Sequence, residues 1–353
     1  MNQIPDFDRL DRALAKWPRV KLAHTPTPLE HLPRLSAQYP LHSLMLKRDD
    51  CTGLAMGGNK ARQLEFYLGD AQAQGCDTVL STGAVQSNYM RMLAAAAAKL
   101  GFECHIQLET RVKSNDTDYL ESGNVLLDKL FGAHIHPYAE GEDEHGADNK
   151  LKQIADRLAS DGKQPYIVPL APVEQPKGAL GYALAARELT QQFMQQDIEP
   201  DLIVVGSGSG LTHAGLLTGF RTLGMSIPIL GMCVRRPVEA QSPRVLSTCR
   251  KVERMLGVDE VVEESDVEVS DLAFSPGYGQ ASQKVIQTIQ DAAGLEGILL
   301  DPVYSAKTVA GTLIMLESGM LEDKSKIVMI HTGGTPALFA YRKQILSLPE
   351  FGL

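Results

Sequence analysis

Short apolar runs that read as buried strands recur along the chain, at Ser43–Lys47, Thr78–Ser81, Cys104–Leu108, Ala133–His136, Tyr166–Pro169, Leu202–Gly206, Ile229–Val234 and Ile327–His331, with helix-length segments between them. Parallel strands must be joined by crossovers of a dozen or more residues, so this alternation predicts an α/β fold of mostly parallel, twisted sheets flanked by helices. Asn88–Leu100, rich in Ala, Met and Leu, and the segments Gly178–Gln192 and Gln280–Ala293 are the expected crossover helices. At 353 residues the chain exceeds what one core fills, because single cores stop growing at roughly 250–300 residues. Two domains are therefore expected.

Lys and Arg number 34 against 43 Asp and Glu, a net charge of -9, and no basic stripe interrupts that balance. A nucleic acid or an anionic membrane is excluded as a partner on that ground. Five cysteines, Cys51, Cys76, Cys104, Cys233 and Cys249, form no CxxC pair and leave one over in any disulfide scheme, which points to a reducing, cytoplasmic setting. Met1–Asp8 has no basic and apolar leader pattern, and no apolar run approaches the ~20 residues of a membrane helix, so a soluble, unprocessed protein is expected. Asn115-Asp116-Thr117 matches a glycosylation sequon without a secretory context. The acidic Glu140–His145 reads as a solvated loop. His134 and His136 share one face of a strand but have no Cys or second His pair nearby, so no metal is assigned.

The chemistry is concentrated where strands end. Gly57-Gly58-Asn59-Lys60 places a lysine behind a small-residue turn and ahead of the helix-like Ala61–Leu68. In a partly desolvated cleft such an amine loses its proton more easily and becomes a nucleophile able to form a Schiff base with an aldehyde. Gly206-Ser207-Gly208-Ser209-Gly210-Leu211-Thr212 follows a strand with glycines, hydroxyls and a helix start, a combination suited to phosphate. It is neither a P-loop, lacking GK[ST], nor GxGxxG, since Leu211 stands where the last glycine belongs. Ser87-Asn88-Tyr89 opens a helix whose free N–H groups suit a carboxylate, although Ser87 also reads as an ordinary N-cap. Thr332, in His331-Thr332-Gly333-Gly334, ends another strand and could bond a ring nitrogen. From residues alone, another phosphorylated ligand with Lys60 as its ion-pair partner fits as well.

Together these segments resemble the fold-type-II pyridoxal-phosphate enzymes, in the group containing D-cysteine desulfhydrase, L-cysteate sulfo-lyase and 1-aminocyclopropane-1-carboxylate deaminase. The resemblance runs from Thr25-Pro26-Thr27-Pro28-Leu29 through Lys47–Asp50, the GGNK and QSN turns, Gly178-Ala179-Leu180-Gly181-Tyr182, GSGSGLTHAG and Gly277-Tyr278-Gly279 to Asp301-Pro302-Val303-Tyr304 and HTGG. It implies a tryptophan synthase β-like fold with a large cofactor-binding domain, 1–52 and 165–353, and a small domain, 53–164. It implies that Lys60 carries pyridoxal 5′-phosphate, that Ser207, Gly208, Ser209, Gly210, Leu211 and Thr212 hold its phosphate, and that Asn88 meets its ring hydroxyl. Ser87, Asn88 and Tyr89 then face the carboxylate of a small amino-acid substrate, Tyr278 and Tyr304 line the reacting face, and the protein is a homodimer.

Within the group, the ring-opening deaminases carry a glutamate after the DPVY tyrosine and a leucine in the last turn, where this chain has Ser305 and Thr332. A hydroxyl beside the ring nitrogen makes a weaker electron sink, which favours β-elimination from a sulfur amino acid. D-cysteine, giving pyruvate, sulfide and ammonia, is the first expectation; L-cysteate, giving sulfite, is the alternative. A non-catalytic pyridoxal-phosphate protein is the contrasting class. Two departures from the group fall at expected substrate-facing positions: Tyr89 replaces a histidine, and Leu170–Gln175 replaces a glycine- and serine-rich loop. Glu174 in that loop is expected to disfavour a sulfonate.

Overall fold

The structure is a computed structural model that describes residues 4–170 and 173–346. Met1–Gln3 and, in the departing loop, Ala171 and Pro172 lie outside the described residues. The described residues form ten strands: β1 Leu29–His31, β2 Ser43–Arg48, β3 Thr78–Ala84, β4 Glu103–Glu109, β5 His134–Tyr138, β6 Pro165–Ile167, β7 Leu202–Ser207, β8 Ile229–Cys233, β9 Glu268–Ser270 and β10 Lys326–His331. They make a six-stranded sheet in the order β1-β2-β10-β7-β8-β9 and a four-stranded sheet in the order β5-β4-β3-β6. Every pairing is parallel except β1 with β2. The eight expected strands are present to within a few residues, and the short edge strands β1 and β9 join them.

The larger sheet is covered on both faces, which explains its unbroken apolar runs. Met45, Ile203, Val205, Val328 and Ile330 pack against the helices Leu180–Gln196, Leu211–Thr222 and Val238–Leu256. The residues between them, Leu44, Leu46, Leu202, Val204, Ile327 and Met329, pack against Gln283–Glu296 and Ser305–Glu317 on the other side. In the smaller sheet Val79, Cys104 and Ile106 pack against the helices Lys60–Ala73 and Asn88–Leu100, while Leu80 meets Leu151, Ile154 and Ala155 opposite. Strand β6 belongs to this smaller sheet through its pairing with β3, just beyond the domain border expected at 164/165.

A buried ionic network fastens the Lys60–Ala73 helix to the larger unit. The Arg62 guanidinium donates to Asp49 Oδ1 at 2.8 Å and Oδ2 at 3.0 Å, and to both oxygens of Glu188 at 2.9 Å. Lys47 donates to Glu188 at 2.5 Å, to Gln192 at 2.6 Å and to the Thr27 carbonyl at 2.7 Å.

The acidic segment is a loop as far as Asp143, and its last two residues, Glu144 and His145, begin a helix. Asp143 caps a helix, Glu144–Ser160, by accepting from the Gly146 amide. Glu144, in its first turn, is drawn into ion pairs with arginines of the larger unit, because a half-buried carboxylate is stable only when paired.

Candidate active site

The C-terminal ends of strands from both sheets open into one cleft of about 800 Å³, mouth included. Openings of this kind are where α/β sheets bind ligands. Its lining contains Lys60, Gly83, Ser87, Asn88, Tyr89, Arg111, Gly208, Ser209, Gly210, Thr212, Arg235, Arg244, Tyr278, Tyr304 and Thr332. Of the expected site residues, Ser207 and Leu211 are absent from this lining. The Ser207 hydroxyl is turned to Gln241, whose amide donates to it at 2.8 Å.

Lys60 begins its helix directly after a backbone junction between two glycine turns. Gly58 and Gly333 form an antiparallel bridge, and the Asn59 amide donates to the Thr332 carbonyl at 3.0 Å. The chains approach so closely that a Cβ on Gly333 would stand 2.5 Å from the Gly58 Cα, and both residues have positive φ, +137° and +84°. Glycine is required at both. Arg91 steadies the preceding strained turn, Ala55 and Met56 at φ 45° and 65°, by donating to the carbonyls of Ala55 and of Gly57, the latter at 3.0 Å.

The Lys60 amine lies 5.4 Å from the centre of the Tyr89 ring, and among the described residues no carboxylate pairs with it. Burial lowers its affinity for a proton to about 8. The position expected to face substrate through Tyr89 thus presents a ring face to the lysine. The Tyr89 hydroxyl is buried without a partner.

Across the cleft lie Gly206–Gly210 and the start of the helix Leu211–Thr222, with Gly210 as N-cap at φ +92°. Thr212 Oγ accepts from the side-chain amides of Asn59 at 3.0 Å and Gln63 at 2.9 Å. With both acceptor positions used, its proton is left to donate into the cleft. Ser87 caps the Asn88–Leu100 helix, accepting from the amides of Tyr89 and Met90 at 3.2 and 3.3 Å. Asn88 Oδ1 accepts from the Asn124 amide at 2.9 Å, which fixes the orientation of its NH2 group.

Tyr278 and Tyr304 meet with their hydroxyl oxygens 3.1 Å apart. The aspartate of DPVY explains the position of Tyr304: Asp301 accepts from the amides of Val303, Tyr304 and Ser305. Ser305 also donates its hydroxyl to Asp301 at 2.7 Å and does not line the cleft, whereas Thr332 does. The Tyr278 loop is held by Lys307, which donates to the carbonyls of Phe274 and Gly277, and by Tyr341, which donates to Gly279 O.

Sequence reasoning missed the arginines. Arg111 and Arg235 place their guanidinium carbons 5.8 and 5.9 Å from the centre of the Tyr278 ring. Arg236 donates to the Gly208 carbonyl at 3.2 Å and Arg244 to that of Ser209 at 3.1 Å. Glu109 pairs with Arg111 at 2.7 Å, and Glu144 alone serves Arg235 at 2.9 Å, Arg236, and Arg244 at 3.9 Å. Asp148 shares the pocket of Glu109, Arg111 and Glu144, so four cations face three carboxylates. Burial and then the neighbouring Arg236 lower the Arg244 guanidinium to about 10. Arg235 and Arg236 follow β8 after one residue, Val234, a strand-end position that could have marked them in the sequence.

Glu174 departs from its expected place. It is exposed, does not line the cleft, and pairs with Arg254 at 2.9 Å on the surface.

The cleft fits a phosphorylated aldehyde cofactor on the chemistry of its donors: an unpaired amine, a glycine loop at a helix start, and a free threonine proton facing the same space. Comparison with known proteins bears on this directly. The profile of the family described as "Pyridoxal-phosphate dependent enzyme" matches residues 20–333. The D-cysteine desulfhydrase of Salmonella paratyphi A is 40% identical over 332 residues, covering 94% of this chain and 98% of that protein. That of Serratia proteamaculans is 40% identical over 336 residues, covering 95% and 99%. A solved structure described as an ACC deaminase homologue superposes with a TM-score of 0.86 at 36% identity, covering 96% of this chain and 98% of that one.

Proposed function

The chain belongs to the pyridoxal-phosphate dependent enzymes, and on that premise we propose that it eliminates hydrosulfide from D-cysteine: with one water consumed, D-cysteine gives pyruvate, hydrogen sulfide and ammonia. The observation that carries the reading is the convergence of the unpaired Lys60 amine and the Tyr278–Tyr304 hydroxyl pair on one cleft. The curated relatives described as D-cysteine desulfhydrases support it at full length.

Lys60 would hold the cofactor covalently, Gly208, Ser209, Gly210 and Thr212 its phosphate, Asn88 its ring hydroxyl and Thr332 its ring nitrogen. When bound, pyridoxal phosphate supplies an electron sink for the charge left on the substrate Cα. The Ser87–Tyr89 turn orients the substrate carboxylate toward free helix amides. Lys60, freed when the amine of the substrate takes its place, would accept the proton from Cα. The Tyr278–Tyr304 pair, sharing one hydrogen bond, would give a proton to the departing sulfur. Free aminoacrylate then takes up water and releases ammonia, leaving pyruvate.

One observation favours a second reading, elimination of sulfite from L-cysteate. The excess of guanidinium groups beside Tyr278 suits a second anionic group on the substrate, and Glu174, turned to the surface, does not oppose it. The test is pyruvate release by the cofactor-loaded protein from D-cysteine, L-cysteine, L-cysteate and 1-aminocyclopropane-1-carboxylate, with sulfide, sulfite and 2-oxobutyrate measured in parallel. Sulfide from D-cysteine alone is expected; sulfite from L-cysteate moves the assignment to the second reading, and 2-oxobutyrate overturns both.

A cytoplasmic homodimer is the remaining part of the proposal. The described structure contains no helix long and apolar enough to cross a membrane. All five cysteines are free, which supports a reducing setting. The exposed Leu299, Phe339 and Leu346, which line one apolar groove, support self-association. Light scattering on the eluted protein checks the dimer.

A further inference from the structure

Away from the cleft, β4 and β5 gather three imidazoles and a carboxylate on one face of the smaller sheet. Glu103 and His105 are two residues apart on β4, and the register sets His105 beside His134 and Gln107 beside His136, so all four side chains project to the same side. The His105 ring is buried, with its centre 4.5 Å from that of His134 and 5.3 Å from that of His136. Its Nε2 lies 2.9 Å from Glu103 Oε1, and Nε2 of His134 lies 3.7 Å from the same oxygen.

We propose that Glu103, His105 and His134 form a binding site for a divalent transition-metal ion of the zinc class, with His136 as the residue that positions His105. One ligand atom from each of the three lies within 4.8 Å of the other two. Ligands about 2.0–2.2 Å from a tetrahedral ion stand roughly 3.3–3.6 Å from each other, and the spacings of 2.9 and 3.7 Å bracket that separation. The His105 and His134 rings are stacked at 19°, so the exposed His134 must rotate about its side-chain bonds to bring both lone pairs onto one ion. Two imidazole nitrogens and one carboxylate oxygen suit zinc rather than calcium or magnesium, which prefer oxygen throughout.

The surrounding contacts fit this role. His105 Nδ1 lies 3.0 Å from His136 Nε2. With the proton on Nδ1 and donated to His136, Nε2 is left with its lone pair toward the ion, the arrangement by which neighbouring groups orient metal-bound imidazoles. Lys163 occupies the opposite oxygen of Glu103, Oε2 at 2.5 Å, and leaves Oε1 to the histidines. His134 is 59% exposed on the edge strand, which gives the ion an entry path and a fourth position for water. A bound ion joins β4 to β5 by their side chains, so its effect is on the stability of the smaller sheet and not on the reaction.

The test is calorimetric titration of zinc chloride into metal-stripped, cofactor-loaded protein without substrate, beside His134→Gln and His136→Gln. The wild type is expected to take up one equivalent that His134→Gln lacks, and His136→Gln to keep that equivalent with affinity reduced roughly 10–100-fold. The thermal midpoint should rise with zinc in the wild type and not in His134→Gln, while pyruvate release is the same in all three. Equal stoichiometry and affinity in the wild type and His134→Gln, or no zinc uptake by the wild type, overturns the site. Unchanged affinity in His136→Gln overturns the positioning role.

Discussion

Lys60 holds a charge that only burial and an aromatic face act upon. Because burial lowers it to about 8, the ammonium dominates below that pH and the nucleophilic amine above it. Reloading of cofactor-free protein should therefore accelerate about tenfold per pH unit up to ~8 and then level off, followed by the absorbance of the bound cofactor. A rate flat between pH 6 and 9 would show that the amine is not the limiting group. Tyr89 acts through its ring, since its hydroxyl is buried without a partner. Tyr89→Phe removes a desolvated polar atom, so stability should hold or rise by up to ~1 kcal/mol in denaturant titration, with turnover retained. Ser87, Asn88, Thr212 and Thr332 were legible because each sits in a short run of small residues after a strand, and Lys60 because such a run, Gly57-Gly58-Asn59, precedes its helix. Arg111, Arg235 and Arg244 were not, because each is an ordinary arginine until the fold brings them to one cleft. Glu174 misled for the opposite reason: adjacency in sequence said nothing of which way the side chain would turn.

The elements that carry these residues are locked to one another by groups the sequence shows only as isolated charges and glycines. Burial pulls the carboxyls of Asp49 and Glu188 up, but Arg62 outweighs it and holds both below the ordinary range. Groups held low stabilise the fold above the ordinary carboxylate range and lose that contribution as pH falls through it. Acid unfolding should thus be steeper in the wild type than in a variant lacking the network. Arg62→Met leaves the buried Asp49 without an ion-pair partner and Glu188 with Lys47 alone, and should destabilise the protein by about 3–5 kcal/mol in chemical denaturation. The GALGY segment, read as a family marker, has a packing meaning. A Cβ on Gly181 would stand 2.2 Å from the Arg62 carbonyl, and one on Gly178 2.5 Å from the Tyr67 ring. Gly181→Ala must push the Leu180–Gln196 and Lys60–Ala73 helices apart, so it should lower the unfolding midpoint and weaken cofactor retention together; a stable variant with normal retention would contradict this. The strands most easily recognised were those buried on both faces. β1 and β9, three residues each at a sheet edge, stand in no apolar run of their own, whereas β6, equally short, fell within the run Tyr166–Pro169.

On the scale of the whole molecule, the alternation of strands and helices was sufficient to anticipate two parallel sheets, but not which end of each would face the other. The cleft draws Lys60, Ser87 and Asn88 from segments around the smaller sheet and Gly208, Ser209, Gly210, Thr212, Tyr304 and Thr332 from the larger. A cofactor that touches both should raise the unfolding midpoint as its concentration exceeds its dissociation constant, by about 2.7 kcal/mol at a hundredfold excess, and Lys60→Ala should forfeit most of that rise in a thermal scan. The bridge between Gly58 and Gly333 gives this assembly an asymmetry. Through it the lysine turn is sewn to the end of β10, whereas Ser87 rides on the helix that follows β3. Arg91, on that same helix, donates to the carbonyls of Ala55 and Gly57 and clasps the turn from the other side. The lysine is thus held to one sheet by backbone and to the other by a single side chain, so a change at Arg91 would loosen it from the Ser87 side alone.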